Sequence, residues 1–326
     1  MYIPKERFSL WADFIERDYL DNEFTVLVAN GIINGATSNP AIFKNAILTS
    51  PAYKRQLEEL AGQEAKAKYE ALAVYDIRKA ADILRPLYDK GDDGYVSIEV
   101  DPTLCDDTEA TIHEGRRLYK MIDRPNVMIK VPATEAGYGA MTALVGDGIA
   151  VNATLIFSKE QALSCLEAFA QGKNEGARVD TVISVFVSRI DRALDAELKE
   201  RGITPALAGI YNAAAIYSVI EARGVDRCRT LFASTGVKGD ELRPSYYIDE
   251  LLAAHSVNTA PVETIEAFVK GGDKTMKLPI DAERIDAHFR KIETAGIDFD
   301  AVVAKQISDG LDAFKEAFSE ILNELE

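Results

Sequence analysis

The feature that most constrains this chain is an alternation repeated along nearly its whole length, in which short apolar runs give way to longer segments of helical period. The runs lie at Phe8–Asp13, Gly35–Asn39, Tyr95–Val100, Asn126–Val131, Ala150–Phe157, Thr181–Val187 and Thr230–Ser234, with a weaker one at Ser256–Thr259. Several are apolar on consecutive positions, as in Val127-Met128-Ile129 and Val182-Ile183. Consecutive apolar residues suit parallel strands covered on both faces, and strand–helix alternation predicts an α/β fold around a parallel sheet. An open doubly wound sheet would carry a glycine-rich phosphate loop after its first strand. Here Asp13 is followed by Phe14, Ile15, Glu16 and Arg17. A closed eight-stranded barrel needs about 250 residues. The 326 residues present leave a surplus for extra helices after the second strand and for a C-terminal helical extension over about 281–326. With no repeat, low-complexity tract or linker, the expectation is a single domain spanning 1–326, a (β/α)8 TIM barrel.

Helix ends are marked by their capping chemistry. Ser158 with Gln161 forms a capping box opening the segment that reaches Ala170. Pro261 is placed for a first helical turn, and Gly271-Gly272 ends that helix. Asp106, Asp107 and Glu109 put negative charge at the start of a helix running to about Met121. Pro40 to Asp89 is expected to hold two helices, and Asp281 to Glu326 two more. The last of these carries Ile307, Leu311, Phe314, Phe318, Ile321 and Leu325 on one face.

Charge and cysteine usage exclude several function classes. Lys and Arg number 37 against 53 Asp and Glu, a net charge of −16, and no basic run interrupts the acidic background. Such a field disfavours nucleic acid or an anionic membrane as partner. Cys105, Cys165 and Cys228 are scattered, which fits a reducing compartment and neither a disulfide framework nor a thiolate metal site. Met1 to Trp11 has no apolar stretch of signal-peptide length. Gly202 to Ile220 lacks charge but is rich in alanine and interrupted by Thr204, Pro205 and Asn212, so a buried helix of a soluble protein is the better reading than a membrane span. A soluble cytoplasmic protein is expected. His113, His255 and His288 form no metal-ligand or Ser-His pattern, and His113 and His288 read as exposed helix residues.

In a parallel barrel the reactive groups sit at the C-terminal ends of the strands. Polar residues within the apolar runs are therefore the informative ones: Asp13, Asn39, Glu99, Lys130, Asn152, Thr154 and Ser184. An ammonium group in an apolar strand is costly unless paired, and desolvation shifts it toward a neutral amine, the form that attacks carbonyls. Lys130 is thus a Schiff-base candidate, although a lysine at a strand end can also snorkel to solvent or pair with a structural carboxylate. Asp13 and Glu99 offer two carboxylates for proton transfer, or partners for a nearby cation. Thr154 is either a relay for a proton or a core threonine bonded to backbone. Asn39 either organises the turn before Pro40 or offers its amide to a hydroxylated ligand.

These stretches, read in order, resemble the transaldolases, class I Schiff-base aldolases built on this barrel, and in particular their longer bacterial branch. The resemblance rests on Leu10-Trp11-Ala12-Asp13, Gly35-Ala36-Thr37-Ser38-Asn39-Pro40, Val96-Ser97-Ile98-Glu99-Val100-Asp101, Ile129-Lys130-Val131-Pro132, Val151-Asn152-Ala153-Thr154-Leu155, Phe186-Val187-Ser188-Arg189 and Ala233-Ser234-Thr235-Gly236-Val237-Lys238. It implies Lys130 as the imine-forming residue and Asp13 as the acid/base at the donor's C4 hydroxyl. Glu99 and Thr154 match the pair that holds a water, while Asn39, Asn152 and Ser184 match contacts to the dihydroxyacetone portion. Phe186 keeps its spacing beside Arg189, which matches a phosphate-binding arginine. Ser234 and Lys238 stand where a second phosphate contact is expected, because Thr235-Gly236 replaces the commoner Phe-Arg there. The sixth strand also has Val185 and Ser188 where proline and glycine are commonest.

The implied reaction moves a dihydroxyacetone unit from sedoheptulose 7-phosphate to glyceraldehyde 3-phosphate, giving erythrose 4-phosphate and fructose 6-phosphate, a transferase step of the non-oxidative pentose phosphate pathway. It needs no cofactor and no metal. The sister fructose 6-phosphate aldolases carry Gln and Tyr at the positions of Glu99 and Phe186, so those two residues favour transfer. A catalytically silent sugar-phosphate-binding barrel is the other alternative. Monomer and homodimer are both open.

Overall fold

Each apolar run becomes a strand, and the strands close on themselves. The computed structural model describes residues 2, 3, 5–173 and 176–326. The barrel strands are β1 (Phe8–Ala12), β2 (Gly35–Thr37), β3 (Tyr95–Glu99), β4 (Val127–Pro132), β5 (Ala150–Ile156), β6 (Thr181–Phe186), β7 (Cys228–Ala233) and β8 (Ser256–Ala260). Each pairs in parallel with the next, and β1 closes the ring against β8 from Ser9↔Val257 to Ala12↔Ala260. The result is the eight-stranded parallel barrel, ringed by helices, that the sequence predicts. A two-residue strand, Tyr2–Ile3, adds to β1 antiparallel and was not foreseen, being too short to carry a pattern.

Closure turns the period-two alternation of each strand into an inside and an outside. Trp11, Tyr95, Met128, Val182, Leu231 and Val257 pack together and fill the lower interior. The alternate residues, such as Leu10, Val96, Ile129, Val151 and Ile183, face the surrounding helices in the larger core. One step of two further along the same strands comes the polar layer: Asp13, Thr37, Ser97, Lys130, Asn152, Ser184 and Thr259. Beneath the apolar floor, at the strands' N-terminal ends, Trp11 Nε1 donates to Asp93 at 3.0 Å and Arg229 pairs with Asp93 at 2.5 Å.

The connections follow their capping signals with three differences. Ser158 and Gln161 make the reciprocal capping box, Gln161 N–H to Ser158 Oγ at 3.1 Å and Ser158 N–H to Gln161 Oε1 at 3.3 Å, opening Lys159–Lys173. Asp107 caps Thr108–Ile122 through the Ala110 N–H. Between Pro40 and Lys90, however, there are three α-helices rather than two: Pro40–Thr49, Lys54–Glu59 and Ala65–Lys90. Ser50, extended ahead of Pro51, ends the first, and Gly62 in the left-handed region separates the other two. Pro261 stands at the N-cap of Val262–Gly271 rather than inside its first turn. His288 is buried, not exposed, because Ala282–Thr294 turns Ile285, His288 and Ile292 inward, where the imidazole meets Tyr211 edge-on at 5.1 Å. His113 is exposed as expected.

The uncharged Gly202–Ile220 stretch holds the helix Ala208–Arg223, buried around most of its circumference. Among the described residues, no helix is long and apolar enough to cross a membrane. The extension comprises Ala282–Thr294 and a C-terminal helix, Phe299–Leu325, capped by Asp298 through the Ala301 N–H. Phe314, Phe318, Ile321 and Leu325 are buried on its inner face.

Gly35 marks the tightest point of the barrel floor, since a Cβ there would lie 2.5 Å from the Trp11 ring. Gly35→Ala is expected to lower stability by about 1–3 kcal/mol, the usual range for overpacking. A urea midpoint equal to wild type would refute this packing.

Candidate active site

The polar layer at the C-terminal ends of the strands surrounds a cavity of about 100 Å3. Its lining includes Asp13, Asn39, Lys130, Ser184, Phe186, Arg189 and Ser234, seven of the residues singled out in the sequence. Four more, Thr37, Ala233, Thr259 and Phe314, complete the wall. Thr37 could have been found, because it is a polar residue within the run Gly35–Asn39 and ends β2 at the barrel mouth. Thr259 ends the weakest of the sequence's strands. Phe314 reaches the cavity from the C-terminal helix, and no local pattern distinguishes it from its neighbours on the apolar face.

Lys130 projects from β4 and is only 5% exposed. The register sets Glu99 of β3 on one side of it and Asn152 of β5 on the other. Its Nζ lies 3.6 Å from Glu99 Oε2, donates to the Ser38 carbonyl at 3.2 Å and sits 5.7 Å from the centre of the Phe314 ring. Lys130 therefore does not snorkel to solvent. Neither Glu99 oxygen has a hydrogen-bond partner among the described residues, and neither does the buried Thr154 Oγ1. Glu99, Asn152 and Thr154 sit behind the cavity wall rather than in it. Thr154 stands beside Pro132 in the strand register.

Burial dominates the electrostatics of the two acids. Desolvation pushes the Glu99 carboxyl from an ordinary 4.5 up to about 7; Asp13 adds slightly, and Lys130 and Arg189 oppose. Desolvation likewise raises Asp13, against the opposing Lys130 charge, the Thr37 hydrogen bond and Arg189. Asp13 follows β1 directly, and its Oδ1 accepts from Thr37 Oγ1 at 2.6 Å; that hydroxyl lies 2.6 Å from Thr259 Oγ1. At neutral pH Glu99 can therefore both hold and release a proton.

The remaining groups are held by short-range hydrogen bonds. Asn39 Oδ1 caps the Pro40–Thr49 helix through the Ile42 N–H, leaving its NH2 as the donor available to the cavity. The turn-organising alternative for Asn39 is the one seen directly. Asn152 bridges the barrel, accepting from Ser184 Oγ at 2.6 Å and donating to Ser97 Oγ at 3.2 Å. Arg189, in the first turn of the Ser188–Glu200 helix, stacks its guanidinium 5.1 Å from the Phe186 ring. Burial, with Arg192 adding to it, holds Arg189 below its ordinary range while Asp309, Asp13 and Glu99 oppose. Ser234 Oγ lies 3.0 Å from Ser188 Oγ beside it. Lys238 is exposed and does not line the cavity.

Two non-glycine residues next to the cavity adopt left-handed backbone, Leu155 at φ 60 and Ser234 at φ 55. Leu155 lies where the pairing of β5 with β6 shifts register, between Ala153 and Ile156. Strain of this kind, of order 1–3 kcal/mol per residue, gathers at functional sites.

A family model described as transaldolase/fructose-6-phosphate aldolase matches residues 10–325. The chain belongs to this family. A transaldolase of Campylobacter jejuni (subsp. jejuni serotype O:23/36, strain 81-176) is 47% identical over 332 aligned residues, covering 98% of this chain and 100% of that protein. A transaldolase of Helicobacter pylori (strain Shi470) is 42% identical over 319, covering 98% and 99%. The transaldolase/fructose-6-phosphate aldolase match takes in every cavity-lining residue, including Phe314 in the C-terminal helix.

The raised Glu99 sets the sign of a pH effect. Between 4.5 and about 7 the folded chain holds a proton on Glu99 that the unfolded chain has released. Stability from this group is therefore full below 4.5 and is lost as pH rises through about 7. Urea unfolding of wild type and Glu99→Gln across this window is expected to show wild type losing ground to the variant as pH rises, then running parallel above it. A constant difference throughout would contradict the assignment.

Proposed function

We propose that this chain catalyses the transaldolase reaction, with Lys130 as the covalent residue and Asp13, Glu99 and Thr154 managing protons. The observation that carries the reading is Lys130 itself: a buried amine, 3.6 Å from a carboxylate whose proton affinity is tuned near neutrality, opening onto the same cavity as Asp13.

The Lys130 amine attacks C2 of a ketose phosphate, and the carbinolamine loses water to give a protonated imine. Glu99 and Thr154, whose buried oxygens have no hydrogen-bond partner among the described residues, hold the water and shuttle protons in this step. Asp13 takes the proton from the C4 hydroxyl, the C3–C4 bond breaks, and its electron pair flows into the imine. An aldose phosphate leaves, and a dihydroxyacetone enamine stays on Lys130. Its C3 then attacks the aldehyde of a second aldose phosphate, Asp13 returns its proton to the new C4 oxygen, and hydrolysis frees the product. This is covalent catalysis in ping-pong order.

Asn39, Asn152 and Ser184 are read as contacts to the dihydroxyacetone hydroxyls, with Asn152 held rigid by its two serine partners. Arg189 is read as the phosphate ligand, a fork of donors beside the Ser188–Ser234 hydroxyl pair. The donor and acceptor are sedoheptulose 7-phosphate and glyceraldehyde 3-phosphate, in a cytoplasmic sugar-phosphate pathway, and the whole span 1–326 serves as one catalytic unit.

With that pair as substrates, wild type is expected to form fructose 6-phosphate, and Lys130→Ala to fall to background. Asp13→Asn is expected to lower kcat by about 10²–10⁴-fold, the usual worth of a general acid/base. Robust turnover by Lys130→Ala would overturn the reading.

A further inference from the structure

We propose that Phe314 decides the fate of the dihydroxyacetone enamine, setting an apolar ring beside it that disfavours protonation of C3 through water so that an aldehyde acceptor takes it instead. This rests on the transaldolase reading and adds to it a residue from outside the barrel. Phe314 is 4% exposed, lines the Lys130 cavity and places its ring 5.7 Å from the reactive nitrogen. One turn earlier, Gly310 lets the C-terminal helix come down onto the barrel mouth: a Cβ there would stand 3.0 Å from Leu155 Cδ2 and 3.4 Å from Arg189 Nη1. The same helix is fastened at its far end by the Lys44–Glu320 ion pair, by Lys68 Nζ on the Leu325 carbonyl at 2.5 Å, and by Phe318 edge-on to Tyr69 at 5.2 Å.

Seated in this way, the helix supplies one wall of a cavity of about 100 Å3. That is room for about three waters and well short of the roughly 300–1,000 Å3 of sites that enclose a whole small ligand. The scale matches a three-carbon fragment rather than a ketose phosphate.

After the first aldose phosphate has left, two reactions compete for the enamine. In transfer, its C3 bonds to the acceptor carbonyl carbon, and Asp13 protonates the resulting oxygen. In loss, C3 takes a proton carried in by water, a water adds to C2, the C2–N bond breaks, and free dihydroxyacetone leaves with Lys130 restored as an amine, while Asp13 gives its own proton to solvent. Both routes end by spending one water on the C2–N bond, so they part at C3, where an apolar ring offers no polar partner to a proton-carrying water. Phe314 thus sets the balance between transferase and aldolase behaviour without touching the bond-breaking step.

The test compares wild type, Phe314→Leu and Phe314→Ala with fructose 6-phosphate as donor and an aldose phosphate as acceptor, reading free dihydroxyacetone and transfer product together. Release per transfer is expected to rise about tenfold in Phe314→Ala, a change of about 1.4 kcal/mol in relative barrier, with a smaller rise in Phe314→Leu. Phe314→Leu keeps an apolar side chain in the same seat and carries the test if the alanine variant does not fold. An unchanged ratio in the folded variants overturns the role of Phe314 while leaving the transaldolase reading intact. A wild type that transfers nothing overturns both.

Discussion

A closed parallel barrel admits every second residue of its strands and no others, and this constraint governs the rest of the molecule. The lower tier of inward residues is apolar and tightly filled, from Trp11 to Val257. The tier above it is polar, and it has nowhere else to go. Lys130 and Glu99 are neighbours because β3 and β4 pair in that register, and both are buried because the barrel is closed. In water such a pair would be worth little. In this setting desolvation lifts Glu99 toward neutrality, and a carboxyl that both holds and yields a proton is placed beside an amine.

The site carries features that oppose stability. Glu99 and Thr154 have buried oxygens without a hydrogen-bond partner among the described residues, and Leu155 and Ser234 carry left-handed backbone. At the opposite end of the barrel Asp93 is also left-handed, at φ 66, and there Arg229, Asp93 and Trp11 are joined by direct hydrogen bonds beneath an apolar floor. Desolvation of the polar groups at the mouth is offset by packing below it.

Much of this is legible in the sequence. Strands covered on both faces leave uninterrupted apolar runs, and a polar residue inside such a run stands out, which is why Lys130, Glu99, Asn152 and Ser184 could be singled out. Period two then predicts which of them share a face. What was hidden depends on distant packing. The two-residue strand at Tyr2–Ile3 has no pattern to read. Three helices replaced two after β2 because Pro51 and Gly62 break a segment whose helical period otherwise continues. His288 reads as a surface residue until Tyr211 is brought against it. Phe314 looks like any other member of an amphipathic face, and only the path of the C-terminal helix across the barrel mouth gives it a place above Lys130.

The account stands or falls on a covalent bond between one nitrogen and the donor sugar. Reduction with borohydride in the presence of fructose 6-phosphate, followed by peptide mass mapping, reads that bond directly. The account predicts a single stable three-carbon adduct, located on the peptide containing Lys130 and absent without donor. A chain that turns over sugar phosphates yet acquires no adduct there, or acquires it on a different lysine, would contradict it.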